Sequence, residues 1–289
     1  MSAVPPLSGL LLVDKPAGMS SHRVVSIVRR LTGAKVGHAG TLDPMATGLL
    51  ILLLGSATKL SSLLLEGDKG YFATALLGRE TDTLDTSGAT LQESPVRVTR
   101  IRLEETLAAF SGPIMQIPPM YSAVSIDGAR MYKLARKGIE VERPSRPVTI
   151  YELELCSFEG NEFEISVVCS KGTYIRSLIA DIGHALGCGA CMSALRRTRS
   201  TGFSLEDTHT LEEVENLGAD KLLIPPERIL EHLPILTPPD FFMQLLLHGQ
   251  RVDGVKLGAS EVKYRLYGEN GFIGLLTRQD EKYGLVWRL

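Results

Sequence analysis

Apolar positions in this chain recur with two different periods, and their alternation sets the expected elements. Gly9 to Val13 is a short apolar run closed by the turn Lys15-Pro16-Ala17-Gly18, and it reads as a strand. Val24, Ile27, Val28 and Leu31 then follow the spacing of one helix face; Ser21 can cap that helix and Gly33 ends it. After a glycine-rich stretch comes the buried-type run Gly48 to Leu54, followed by a helical pattern over Ser56 to Glu66. Tyr71 to Leu77 reads as a strand, and Leu103, Leu107 and Phe110 share one helical face ahead of the breaker Gly112-Pro113. Phe163, Ile165 and Val167 alternate as a strand does, whereas Ile175, Leu178, Ile179 and Ile182 keep helical spacing. Strands and helices in mixed order with short connections predict an α+β fold rather than a doubly wound sheet.

The proline-rich stretch Leu233 to Pro239 reads as a linker. Beyond it lie the β-like runs Val262–Tyr267, Phe272–Leu276 and Gly284–Leu289, separated by Gly-Glu-Asn-Gly and Asp-Glu-Lys. The expected division is therefore a large domain over about 1–233 and a small β-rich domain over about 240–289, which suits a chain of 289 residues. Gly48–Leu54, the longest apolar run, is too short to cross a bilayer. The first residues lack a basic stretch followed by a long apolar core, so a cytoplasmic protein with no membrane partner is expected.

Net charge is only −2, but its distribution is uneven. Lys15, Arg23, Arg29, Arg30 and Lys35 occur between positions 15 and 42 without one acidic residue. Residues 128–147 are rich in Lys and Arg, and Arg196, Arg197 and Arg199 form a third basic stretch. Such segregation fits either a phosphate-binding face or ordinary solvated helix faces. Cys188 and Cys191 have the spacing of half a zinc site or a redox pair. A structural zinc needs four ligands, and Cys156 and Cys169 offer no second close pair, so buried or boundary thiols and no metal are expected.

The densest chemical signal is Gly37-His38-Ala39-Gly40-Thr41-Leu42-Asp43-Pro44-Met45-Ala46-Thr47-Gly48. Its glycines and proline argue against regular structure, and Pro44 biases Asp43 toward an extended backbone. Two readings stand at this point: a turn started by Asp before Pro, or a carboxylate carried on a loop that runs into a buried strand.

This block resembles the catalytic motif of the TruB family of tRNA pseudouridine synthases. Val13-Asp14-Lys15-Pro16 with Gly18-Met19-Ser20-Ser21 resembles that family's opening motif. Gly67-Asp68-Lys69-Gly70-Tyr71 with Gly78-Arg79-Glu80-Thr81-Asp82-Thr83-Leu84-Asp85 is similar to its second. Further matches are Pro118-Pro119-Met120-Tyr121-Ser122-Ala123, Lys171-Gly172-Thr173-Tyr174-Ile175-Arg176 and Leu195-Arg196-Arg197-Thr198. Together they cover most of residues 10–200 in order. The C-terminal 50 or so residues, with Gly249-Gln250, are more weakly similar to the PUA-like RNA-binding domain of bacterial members.

The resemblance implies a pseudouridine synthase catalytic domain on a mixed, largely antiparallel sheet with flanking helices, followed by a PUA-like domain. It implies isomerisation of the uridine at position 55 in the T-arm stem-loop of tRNA, without cofactor or obligate protein partner. Asp43 would be the nucleophile on a flipped-out base and Arg176 its partner. Tyr71 would lie against the base and assist a late proton transfer. His38 would enter the RNA near the extruded nucleotide, and Lys15, Tyr174 and Leu195 would form the walls and floor of the pocket. Without the resemblance, Tyr71 reads as a strand aromatic packed in the core. Two positions depart from the family pattern: Ala39, where members often carry Thr, and Ser125, where they often carry Lys. A non-catalytic tRNA-binding factor on the same scaffold is disfavoured by the intact Asp43, Tyr71 and Arg176. A carboxylate hydrolase would need a second acid, for which Asp85 is the one motif-linked candidate.

Overall fold

A computed structural model describes residues 7–121 and 141–289, together with the backbone of 125–126 and 129–130. Among the described residues the chain is α+β. A nine-stranded sheet runs in the order Gly9–Lys15, Thr47–Leu54, Ala190–Ser200, Lys69–Leu77, Glu162–Cys169, Arg146–Glu159 and Gly112–Gln116. Val36–Ala39 and Phe203–Ser204 pair beside this path. Neighbours are antiparallel except where Arg196 and Arg197 lie parallel to Thr47 and Gly48, so the sheet is mixed and largely antiparallel, as expected.

The two continuous apolar runs are explained by burial on both faces. Leu11, Val13, Leu50 and Leu52 point into a core completed by Val24, Val25 and Val28 of the Ser21–Thr32 helix. Leu103 and Leu107 of the Arg100–Ala109 helix and Ile175, Leu178, Ile179 and Ile182 of the Ile175–Leu186 helix complete the same core. Leu10, Leu12, Leu49, Ile51 and Leu53 point the other way, into a second core with Leu60, Leu64 and Leu230. A strand with apolar partners on both sides needs no alternation.

That second core also contains Leu275 and Trp287 of the C-terminal sheet, and the Trp287 indole N–H donates to Ser56 O at 2.9 Å. The C-terminal sheet has five strands, in the order Ile235–Leu236, Lys263–Gly268, Gly271–Gln279, Lys282–Arg288 and Val252–Asp253. Its own core is closed by Met243 and Leu246 of the Asp240–Leu247 helix. Arg265 reaches back to Glu227 at 3.1 Å, and Tyr267 bonds the same carboxylate.

Several local expectations are corrected. Ser20, not Ser21, caps the first helix, accepting from the Arg23 N–H. Gly37 to Ala39 belong to a strand, which narrows the irregular stretch of the motif to residues 40–46. Ser56 to Glu66 is mostly a 3₁₀ segment, Gly55–Leu60, followed by a one-turn helix, Ser61–Leu65. Within the supposed linker, Ile235 and Leu236 already pair with the C-terminal sheet.

Candidate active site

Asp43 is carried on a short loop between two antiparallel strands, in which His38 faces Leu52 and Ala39 faces Ile51. Side chains from three other elements fasten this loop. Ser21, displaced from the capping position, donates its hydroxyl to Leu42 O and accepts the Leu42 N–H, both at 2.9 Å. The Gly18 N–H bonds Pro44 O at 2.8 Å, and the Lys15 ammonium donates to the carbonyls of Pro16, Met19 and Pro44. From below, Arg197 donates to Gly40 O at 3.0 Å and to Leu49 O at 2.7 Å. A carboxylate on so restrained a loop is held in one fixed orientation.

Arg176, in the first turn of the Ile175–Leu186 helix, approaches Asp43 Oδ2 with Nη2 at 3.0 Å. Its guanidinium also donates to Thr83 O at 3.0 Å and Tyr121 O at 2.8 Å, and lies 3.5 Å from Asp85 Oδ2. Asp85 is buried and takes further bonds from the Thr83 hydroxyl and from the Ser87 N–H and hydroxyl. It is thus an anchor for the arginine, engaged on both oxygens, rather than a free second acid. The order Asp43, Arg176, Asp85 places one cation between two carboxylates and leaves Asp43 as the one facing open space.

That space is a cavity of about 450 Å³, within the size range of small-ligand sites. His38, Asp43, Tyr71, Tyr174, Arg176 and Leu195 all line it, although they come from four separate stretches of sequence. Tyr174 is held through its backbone by Gln116, whose amide accepts the Tyr174 N–H at 2.8 Å and donates to its carbonyl at 3.1 Å. Burial raises the Asp43 carboxyl above its ordinary value, Arg176 opposes that rise, Asp85 adds to it and Lys15 opposes it. Burial also raises the Tyr71 phenol and, reinforced by Arg197 and His22, lowers His38, so both are neutral near pH 7.

Lys15 is placed differently from the expectation. It is fully buried beneath the Asp43 loop and is absent from the cavity wall; burial lowers its pKa to about 8. In this position it supports the loop through its bonds to the carbonyls. The basic stretch 196–199 also splits. Arg196 pairs with Asp14 at 2.7 Å, Arg197 is buried, and Arg199 alone is exposed. Most of the basic residues in 128–147, the Ser122-Ala123 end of one motif and the Ser125 side chain lie outside the described residues, whereas Arg143 bonds Pro118 O at 3.2 Å. Cys169, Cys188 and Cys191 are buried, and burial raises all three thiols, Cys169 to about 11. Lys69, Tyr121 and Arg197 line the cavity and were not singled out as wall residues from sequence. Each stands in a quoted motif, but only the fold shows which side chain turns inward.

Comparison with known proteins defines the class. Residues 28–175 match the model for the N-terminal domain of TruB family pseudouridylate synthases. Residues 176–231 match that for the tRNA pseudouridylate synthase B C-terminal domain. The structure of a Cbf5-Nop10-Gar1 complex contains a chain that superposes with TM-score 0.73 at 27% identity, over 97% of this chain and 83% of that one. An H/ACA RNP bound to a substrate RNA containing 2'-deoxyuridine gives TM-score 0.68 at 26% identity, with the same coverage. The chain belongs to the TruB family of pseudouridylate synthases. More particularly, tRNA pseudouridine synthase B of Aromatoleum aromaticum is 49% identical over 93% of this chain and 88% of its own length. That of Chromobacterium violaceum is 47% identical over 93% and 90%. The protein is accordingly an enzyme of tRNA modification, a tRNA pseudouridine synthase.

Proposed function

We propose that the enzyme converts the T-arm uridine at position 55 of tRNA to pseudouridine in the cytoplasm, with Asp43 as nucleophile on a flipped-out base and without a cofactor. The observation that supports this reading is the Asp43–Arg176 pair at 3.0 Å on the wall of a nucleotide-sized cavity. Uridine and pseudouridine contain the same atoms in the same oxidation state, so the reaction calls for no external reductant or energy source. The bond from C1′ to N1 breaks, the base turns, C5 bonds C1′, the C5 hydrogen leaves as a proton and N1 gains one. Asp43 can add to C1′ or to C6 and leave again. Arg176 keeps the carboxylate ionised and aimed against the pull of burial. Tyr71 and Leu195 bracket the base, and His38, neutral and at the rim, fills the place the base vacates. The unit over about 1–233 carries the chemistry, and the PUA-like unit over about 240–289 adds RNA contacts.

The test is incubation of unmodified tRNA with the purified protein after exhaustive chelation, followed by nucleoside mapping. The reading expects one pseudouridine, at position 55, and the same product from an isolated T-arm stem-loop. Modification confined to another position, or activity restored only by added metal, would contradict it.

A further inference from the structure

Among the described residues, Arg197 is the largest side chain with essentially no solvent exposure, and no carboxylate lies within ion-pair distance of it. A buried cation without a counter-ion is costly to keep in a fold. Its two carbonyl partners, Gly40 O and Leu49 O, bracket the Asp43 loop at both ends. Two glycines of the catalytic motif make room for it. A Cβ on Gly48 would stand 2.3 Å from Arg197 O, and one on Gly40 would stand 3.3 Å from Arg197 Nη1. Across the sheet Arg197 pairs directly with Tyr71 and both line the cavity, so the guanidinium and the phenol share one wall. Arg196, its neighbour on the opposite face, is neutralised by Asp14. The cavity wall beside Tyr71 therefore carries an uncompensated positive charge, fixed by backbone carbonyls.

We propose that Arg197 is a positioning residue for the isomerisation: it holds the Tyr71 oxygen in place and stabilises negative charge on that oxygen while the C5 proton is transferred. This rests on the reading of Asp43 and Tyr71 above. After C5 has bonded C1′, that carbon still holds its hydrogen and the ring contains a C6=N1 double bond. The C5–H bond breaks and its electrons become the C5=C6 double bond, while the C6=N1 pair moves onto N1. N1 takes the Tyr71 hydroxyl proton, and the Tyr71 oxygen receives the proton from C5. Tyr71 ends as it began, and the charge it carries in passage faces the Arg197 guanidinium.

The experiment compares Arg197→Lys and Arg197→Gln with the wild type on tRNA carrying hydrogen or deuterium at C5 of the target uridine. Arg197→Gln removes a buried charge instead of stranding one and keeps a donor for the loop carbonyls, so a cooperative melt is expected of it even where the lysine variant fails to fold. The expected signature is a single-turnover rate lowered about 10- to 100-fold. The C5-deuterium effect should be larger than in the wild type, with tRNA affinity and its salt dependence unchanged. A wild-type rate overturns the proposal. Weaker binding with a shallower salt dependence also overturns it, because it would make Arg197 a phosphate contact. A slower rate with an unchanged deuterium effect overturns it too, reducing Arg197 to a support for the loop. Asp43→Asn is run alongside: activity in that variant removes the parent reading. Its inactivity together with a wild-type Arg197→Gln removes this inference alone.

Discussion

Replacing Arg176 with lysine keeps the positive charge and removes the fork. The guanidinium spans four acceptors at once: Asp43 Oδ2 at 3.0 Å, Thr83 O at 3.0 Å, Tyr121 O at 2.8 Å and Asp85 Oδ2 at 3.5 Å. An ammonium at the end of a flexible stem can satisfy some of these but cannot reproduce the planar set. Asp85 has three other donors and competes poorly for it, so the loss falls on the orientation of Asp43. Loss of one bond to a charged group is worth about 1.5–3 kcal/mol. At roughly 1.4 kcal/mol per factor of ten, that is about a 10- to 150-fold slower chemical step. The assay is single-turnover release of tritium from C5-labelled uridine in saturating enzyme, with tRNA affinity and the thermal melt measured in parallel. Affinity should stay close to wild type, since Arg176 is only 6% exposed and offers little surface to RNA. Wild-type turnover by a cooperatively folded Arg176→Lys would show that the fork does not orient Asp43 for the reaction.

Three further outcomes follow from the geometry. Because burial raises the Asp43 pKa, the folded chain holds that proton at pH values where the unfolded chain has released it, and ionisation therefore costs stability as pH rises. Asp43→Asn should melt at or above the wild type near pH 7, with the gap narrowing as pH falls toward about 4; a clearly lower melt at neutral pH would contradict this. Gly48→Ala places a Cβ 2.3 Å from Arg197 O at a backbone φ of +97°, and should cost at least about 2 kcal/mol in denaturant unfolding. Trp287→Ala opens the core shared by the two sheets and should lower stability by about 3–5 kcal/mol while leaving saturated turnover largely intact, so an unchanged melt would show the C-terminal sheet to be loosely attached.

How far the fold could be read depended on whether each strand kept its period. The runs at 9–13 and 48–54 were legible because both faces are buried, and 163–167 because its alternation is regular. Arg146–Glu159 and Ala190–Ser200 were not, since bulges at Ile150/Glu152, Leu155/Ser157, Met192/Ala194 and Arg197/Arg199 shift the inward positions partway along each strand. Residues Asp240–Leu247 escaped because the prolines ahead of them read as a linker and the helix is only two turns long. In the site, the motif spacing singled out Asp43 and the family pattern paired it with Arg176, 133 positions away; the fold brings them to 3.0 Å. Contacts among distant residues were invisible in sequence. Asp85 reads as a spare acid until its three donors are known, and the resemblance places Lys15 among the walls and floor of the pocket, whereas only the fold shows it buried beneath the Asp43 loop. Arg197 was merged with Arg196 and Arg199 into one basic stretch, although strand pleating and a bulge send the three to a salt bridge, the cavity and solvent.

The most direct test of the central claim removes the proposed nucleophile and nothing else. Asp43→Asn keeps the size and shape of the side chain and cannot form the covalent adduct. Purified from a host free of other tRNA pseudouridine-55 activity, it should bind T-arm RNA with near wild-type affinity, release no C5 tritium and leave position 55 as uridine on nucleoside mapping. Pseudouridine at that position from the pure variant would show that Asp43 is not the group that performs the reaction.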